Sequence, residues 1–263
     1  YVPDNMVVVV VGDVDGRQVL EKVRATFGAA PRRAPPSVEL VAEPPQLAPR
    51  RRVQVKPQLQ RAYLQLGWRG VTLFDEDMYP LDVLAYYLGA GESAPLVTEL
   101  RDERGLVDAV GCYSNTPAYD AGSFAIWAVL DPEKLSEVEQ AILARIDQLR
   151  AAPPSPADLA RVLRQMRAEE VFGQESAEDR AEALGRNLML TGDVHFTQRY
   201  LEGISRVTPE RIRAAVARYC VPERLCVAAL TPRLPRPARE RGRSQPAEVR
   251  TVVRTLDNGL RVV

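Results

Sequence analysis

His195 is the single histidine in 263 residues, and that count decides most of the available chemistry. A catalytic zinc site takes three protein ligands, usually rich in imidazole, and keeps one position open. One imidazole cannot build it, and Cys112, Cys220 and Cys226 do not help, because no two of them form a C-x-x-C pair. Each cysteine lies in an apolar strand or helix context and reads as a structural free thiol, with no compartment implied. His195 sits in Gly192-Asp-Val-His-Phe196, at a helix start, and reads as an ordinary helix-start residue rather than a ligand or acid–base group. Asp13-Val-Asp-Gly16 echoes a calcium loop without the rest of its ligand set, so it reads as a turn plus N-cap. Gly89-Ala-Gly91 echoes a nucleotide loop, but neither G-K-[ST] nor a third glycine follows, so it reads as a helix stop. No catalytic, cofactor-binding or metal-ligating residue is assigned to this chain.

Composition narrows the classes further. Lys+Arg and Asp+Glu both total 35, a formal net charge of zero, which argues against a nucleic-acid binder working by phosphate neutralisation. A hydrophobic content of 46% excludes general disorder. The longest apolar run, Met6–Val11, is strand-sized and far short of the roughly 20 residues that span a bilayer.

The elements that must carry these residues follow from periodicity. Met6–Val11 is β-branched and continuous, which predicts a strand buried on both faces. Asp15 is placed to cap a helix carrying Val19, Leu20, Val23 and Phe27, stopped by Gly28. Six prolines between Ala29 and Arg50 forbid regular structure there. Arg52–Lys56 and Arg61–Trp68 alternate as strands, and Asp75 or Asp77 starts a helix through Leu81, Leu84 and Leu88. A short helix is expected around Leu96–Arg101, and Val107–Tyr113 with Ser123–Val129 reads as an antiparallel pair. The period then becomes helical. Leu135 to Leu149 is one amphipathic helix, and Ser155-Pro156 starts a second. Further helices follow at Ala177–Leu190 and Phe196–Ile204, and Thr208-Pro209 starts the last. Leu225–Leu230 is a returning strand, and Arg250–Arg254 with Leu260–Val263 reads as a hairpin across Asn258-Gly259. Strands, then helices, then a strand predict an α+β two-layer sandwich, a mainly antiparallel sheet with helices on one face.

Taken in order, these segments resemble the pitrilysin/insulysin family of inverted-motif zinc peptidases. Asn5-Met-Val-Val-Val-Val-Val-Gly-Asp-Val-Asp15 resembles the strand and turn that close the family's zinc-bearing domain. Leu88-Gly-Ala-Gly-Glu-Ser93 and Leu100-Arg-Asp-Glu-Arg-Gly-Leu106 resemble the glycine turn and L-R-E-E-x-G-L segment of its second domain. Val171-Phe-Gly-Gln-Glu-Ser176, Arg180-Ala181, Tyr200-Leu-Glu-Gly-Ile204 and Val207-Thr-Pro-Glu210 continue the pattern, and Val253–Val263 resembles the opening of a fresh repeat. The division this implies is 1–28, the closing strand and helix of a preceding zinc-bearing domain; 29–50, a Pro-rich linker; 51–231, an inactive peptidase-family domain; 232–248, a Pro/Arg-rich linker; and 249–263, the first strands of a second repeat. On this reading neither end is a natural terminus, and the chain is a piece of a longer protein.

The departures from the family pattern specify the role. Family catalysis uses H-x-x-E-H on a helix, two His holding zinc while the Glu acts as general base. With one histidine no copy of that motif exists in this chain, so zinc is expected in the parent protein and no cofactor here. In the repeat facing the zinc, the family contacts substrate through an Arg and a Tyr seven residues apart. Arg101 holds the Arg position, but Asp108 holds the Tyr position, and a carboxylate would repel a developing oxyanion. Both are expected to be structural, with Arg101 pairing a nearby acid such as Glu103 or Asp108. The resemblance therefore implies a non-catalytic domain of a zinc metalloendopeptidase that helps enclose peptide substrate. Its partners would be the upstream zinc-bearing domain and the downstream second repeat. The alternative is a structural homologue whose parent also lacks zinc ligands, as in family members that serve as core subunits of mitochondrial respiratory complexes.

Overall fold

Strand alternation organises the molecule. In Ala62–Arg69, the residues Ala62, Leu64, Leu66 and Trp68 are buried, while Tyr63 and Gln65 between them are exposed. A period of two puts each set on its own face of a sheet. A computed structural model describes residues 2–35, 40–41, 43–44, 46–233, 254–255 and 261–262. Its main sheet has five strands: β1 (Arg50–Val55), β2 (Ala62–Arg69), β3 (Val107–Asn115), β4 (Ser123–Leu130) and β5 (Cys226–Thr231). They lie in the order β1-β5-β2-β4-β3. β1 runs parallel to β5, and the pairs β5–β2, β2–β4 and β4–β3 are antiparallel. The expected α+β architecture with a mainly antiparallel sheet is the one observed.

The helices α2 (Met78–Gly89), α3 (Leu135–Ala151), α4 (Pro156–Phe172), α5 (Ala177–Thr191), α6 (Phe196–Ser205) and α7 (Pro209–Tyr219) follow α1 (Gly16–Phe27). Of these, α2 lies on β3 and β4, α3 packs on β2 and α7, and α4, α6 and α7 pack on α2. The core joins Leu64, Leu66, Phe124 and Ile126 of the sheet to Leu81, Leu84 and Leu88 of α2 and Val138, Ile142 and Ile146 of α3. Each such side chain, fully buried, contributes roughly 1.5–3 kcal/mol relative to exposure.

The caps follow the residue types. Ser155, Ser176 and Thr208 each accept the N–H three residues on, at 3.1, 3.0 and 3.3 Å, and Pro156 and Pro209 fill the first helical positions where an N–H is superfluous. Asp15 caps α1 by accepting from Arg17 N at 2.8 Å, so the Asp13–Gly16 stretch is a turn and cap as expected. Asp77 precedes α2 but its side chain does not cap it. That carboxylate accepts from Arg218 and Tyr219 of α7, both at 2.7 Å, and ties the two helices together.

Three expectations need correction. Met6–Val11 forms no strand, and Met6, Val7, Val8 and Val10 are exposed rather than buried on both faces. A strand exists only with a pairing partner, and none runs beside this segment among the described residues. Instead it follows a 3₁₀ turn at Pro3–Asn5 and leans on α5, where Val9 Cγ2 lies 3.4 Å from the position a Cβ on Gly185 would take. The short helix near Leu96–Arg101 is a π-helical segment, Val97–Glu103, wider than the α-turn its periodicity suggested. Arg101 pairs with neither Glu103 nor Asp108, as set out below. Of the C-terminal hairpin, Arg254–Thr255 pairs with Arg261–Val262 in antiparallel register, while Asn258-Gly259 lies outside the described residues.

Two glycines set how closely the helices approach. A Cβ on Gly89 would collide with the backbone of Cys112 in β3, and one on Gly203 of α6 would collide with the Tyr79 ring of α2. Gly203→Ala should therefore cost about 1–3 kcal/mol by overpacking and lower Tm by several degrees. Thermal unfolding followed by circular dichroism checks this, and an unchanged midpoint would show that α6 can shift away from α2 without loss.

Candidate functional site

His195 occupies the N-cap position of α6, after the left-handed Gly192 (φ 72°) that ends α5. Its backbone N–H donates to Asp193 Oδ1 at 2.9 Å, while Asp193 Oδ2 pairs with Arg199 at 2.8 Å. The imidazole makes no hydrogen bond among the described residues, so no carboxylate orients it for acid–base work. It lines a groove of about 520 Å³ with Val11, Glu170, Arg180, Asn187 and Gln198. Asn187, the polar group deepest there, is already spent on Thr197 Oγ1 at 2.9 Å and Val194 O at 3.3 Å.

The other sequence candidates are similarly absorbed. Arg101 pairs with Asp102 at 2.7 Å and with Glu92, across the glycine turn. Asp108 sits on a β-bulge of β3 and pairs with Arg61 at 2.8 Å. The structure thus engages the two residues in different ion pairs. Cys112, Cys220 and Cys226 are all free thiols, and Cys226 Sγ donates to Gln46 Oε1 at 3.1 Å. Burial pushes the Cys220 thiol up to about 12 and the Cys112 thiol well above its ordinary range, which leaves both protonated and unreactive. Among the described residues, no group of three or more His, Cys, Asp or Glu is placed to hold a metal ion, and no helix is long and apolar enough to cross a membrane. Among the described residues the donor set does not fit zinc.

What the residues do build is a surface. The helices cover one face of the sheet. On the other, register aligns Arg52 of β1, Ala228 of β5, Gln65 of β2, Trp127 of β4 and Gly111 of β3 in one row. Tyr63 and Leu230 stand in the adjacent row, with Tyr113 beyond on the opposite side. Tyr63 (46%), Tyr113 (39%), Trp127 (38%) and Leu230 (38%) all remain exposed, although aromatic and aliphatic groups of this size are normally buried. Trp127 can lie against the sheet because Gly111 lacks a Cβ, which would stand 2.7 Å from Trp127 Cζ2. Gln65 Nε2 donates to Tyr113 Oη at 2.8 Å and braces the row. The result is a shallow cavity of about 430 Å³ on the sheet, with the Ala228 side chain on its floor beside the backbone of Ala128 and Ala229, whose side chains face the helices.

One buried polar group lies behind the sheet, on the helical side. Asp82 of α2 accepts from the Tyr200 hydroxyl of α6 at 3.1 Å, while its Oδ1 is sealed from solvent with the Ser114 hydroxyl nearby. Burial pushes its carboxyl up to about 6, with the Ser114 and Tyr200 hydroxyls pulling the other way. Nothing in the local pattern Leu81-Asp-Val-Leu84 marks this aspartate as internal, since a helix face alternates too quickly for one residue to declare itself.

The model of the Peptidase M16 inactive domain matches residues 1–166, and the chain belongs to that family. An uncharacterized zinc protease of Streptomyces coelicolor is 28% identical over 239 residues, covering 88% of this chain and 51% of the relative. One of Mycobacterium tuberculosis is 29% identical over 243 residues, covering 88% of this chain and 53% of the relative. The crystal structure of a protease from Helicobacter pylori superposes with a TM-score of 0.77 at 21% identity, over 84% of this chain and 54% of that one. The chain spans about half the length of the curated relatives it matches.

Asp82 supplies a sign-defined test. Its folded-state pKa is raised, so the unfolded chain releases this proton first as pH rises, and stability falls between about pH 4 and 6. Asp82→Asn removes that loss. The stability of the variant relative to wild type should rise by about 1–3 kcal/mol between pH 4 and pH 8, with most of the change complete by about pH 7. Urea unfolding across that range measures it, and a pH-independent difference would mean the carboxyl titrates normally.

Proposed function

We propose that this chain is the non-catalytic half-domain of a zinc metalloendopeptidase, with the outer face of its sheet forming part of the wall that encloses peptide substrate. The observation that carries this reading is the uncovered sheet face bearing Tyr63, Gln65, Trp127 and Leu230. A sheet in a finished domain seldom leaves two aromatics and a leucine in water over a floor of alanine and glycine without a use for them. Such a floor suits an extended chain laid across it, because side chains of the ligand find room between the posts.

On this reading the peptide bond is cut elsewhere. Zinc and the H-x-x-E-H helix belong to a zinc-bearing domain upstream in the parent protein, and residues 1–28, an extended apolar segment followed by α1, are its closing piece. The exposed valines of Met6–Val11 support that role, since such a run finds its proper burial between two strands. Residues 29–50 link to the inactive domain at 51–231. A second linker at 232–248 leads to the first strands of the next repeat at 249–263, which would close the chamber from the opposite side. Arg101 and Asp108, held in separate ion pairs, serve the fold and leave the contact with the reacting carbonyl to that repeat.

The test uses the full-length protein. Tyr63→Ala combined with Trp127→Ala should raise KM for a peptide substrate about fivefold or more, with kcat within about twofold, because contacts that bind substrate and transition state alike act on KM. An unchanged KM in a folded variant would remove the wall role. A full-length protein with no peptidase activity and no bound zinc would favour the scaffold alternative.

A further inference from the structure

The same face carries a charge pattern that selects among peptides, and this inference rests on the wall reading just given. The cavity at Tyr63, Gln65 and Trp127 has one charged residue in its lining, Arg52. Beside it, sharing Gln65, lies a second cavity of about 450 Å³ that adds Arg50 and Arg69 against a single carboxylate, Glu43. Arg69 is engaged, by Asp120 at 3.2 Å and by the carbonyl of Glu43 at 2.9 Å. Arg50 and Arg52 make no ion pair among the described residues, whereas Arg51 between them turns to the helical side and binds Glu139 at 2.6 Å. Strand alternation therefore delivers to the open face two guanidiniums without a carboxylate partner among the described residues, Arg52 bonded only to the neutral amide oxygen of Gln54, and spends the third on the fold.

The polar groups on the floor also point to a backbone ligand. Gln65 gives its N–H to Tyr113, so its Oε1 accepts nothing among the described residues and is free to receive a peptide N–H. An amide acceptor between two aromatic posts, bordered by cations, matches an extended peptide whose apolar side chains alternate with carboxylates. We infer that the outer sheet face is a peptide-binding trough selective for acidic-apolar segments, with Trp127 and Tyr63 holding the apolar side chains and Arg52, assisted by Arg50, holding the carboxylate.

The reporter is built in. The chain has two tryptophans; Trp68 is buried and donates to Val221 O at 3.1 Å, so Trp127 is the one a ligand can reach. The chain should be titrated with soluble peptides of about ten residues, long enough to cross the trough, carrying Glu, Gln or Lys at the same positions among leucines. The Glu peptide should change Trp127 emission and bind at least about tenfold more tightly than the Lys peptide, a gap that narrows as salt rises toward about 0.5 M. Trp127→Phe should remove the signal. Arg52→Glu, at an exposed edge-strand position, should reverse the ranking while leaving the thermal midpoint unchanged.

Three results would overturn the inference, each in a different way. Equal binding of all three peptides, with the Trp127 response intact, abolishes the acid preference and leaves the wall reading standing. No response to any peptide removes both. A single-stranded oligonucleotide that binds more tightly than the Glu peptide reassigns the arginines to phosphate.

Discussion

Everything in this structure depends on the two-residue alternation of β2 and its partners. Leu64, Leu66 and Trp68 must point together into the helices, and that requirement forces Tyr63 and Gln65 to the opposite side. The register with β4 and β5 then determines what stands beside them: Trp127 and Ala228 next to Gln65, Leu230 next to Tyr63. Slipping β4 by one residue would bury Trp127 under the helices and expose Phe124 and Ile126. The core and the candidate trough are thus two faces of one constraint, and neither can be changed without the other.

The helical side shows a different balance between polar and apolar demands. Asp77 gives up its capping role to hold Arg218 and Tyr219, and Asp82 accepts the cost of a sealed Oδ1 to hold Tyr200. Both carboxylates are on or just before α2, so this helix is anchored at two points, to α7 and to α6. Gly203 lets α6 approach closely enough for the Asp82 bond to form, and Gly89 lets α2 reach β3. The polar ties fix the arrangement of helices whose apolar contacts alone would tolerate sliding.

Much of this was legible in the residues alone, for identifiable reasons. β2 alternates cleanly from Ala62 to Trp68, and the Ser155, Asp15 and Thr208 caps carry their own chemistry, so elements and fold class followed. That no H-x-x-E-H copy lies in these 263 residues is read directly from the single histidine. Three things were not legible. Met6–Val11 has the composition of a buried strand, but composition cannot supply a partner. Arg101 and Asp108 are close in sequence, yet a π-helical segment and a β-bulge turn them toward Glu92 and Arg61 instead. Arg52, Gln65, Trp127 and Ala228 span most of the chain and become neighbours only through register, so no local pattern could have joined them.

The central proposal is that the outer sheet face meets peptide in the full-length protein. A photo-crosslinking amino acid at position 65 of a full-length protein, its metal removed and a peptide substrate bound, tests this directly. Gln65 lies in the middle of the trough and touches both cavities. The account predicts a crosslink from position 65 to the peptide, competed by excess unlabelled substrate. A crosslink found only to the protein's own chain, and unaffected by substrate, would contradict it.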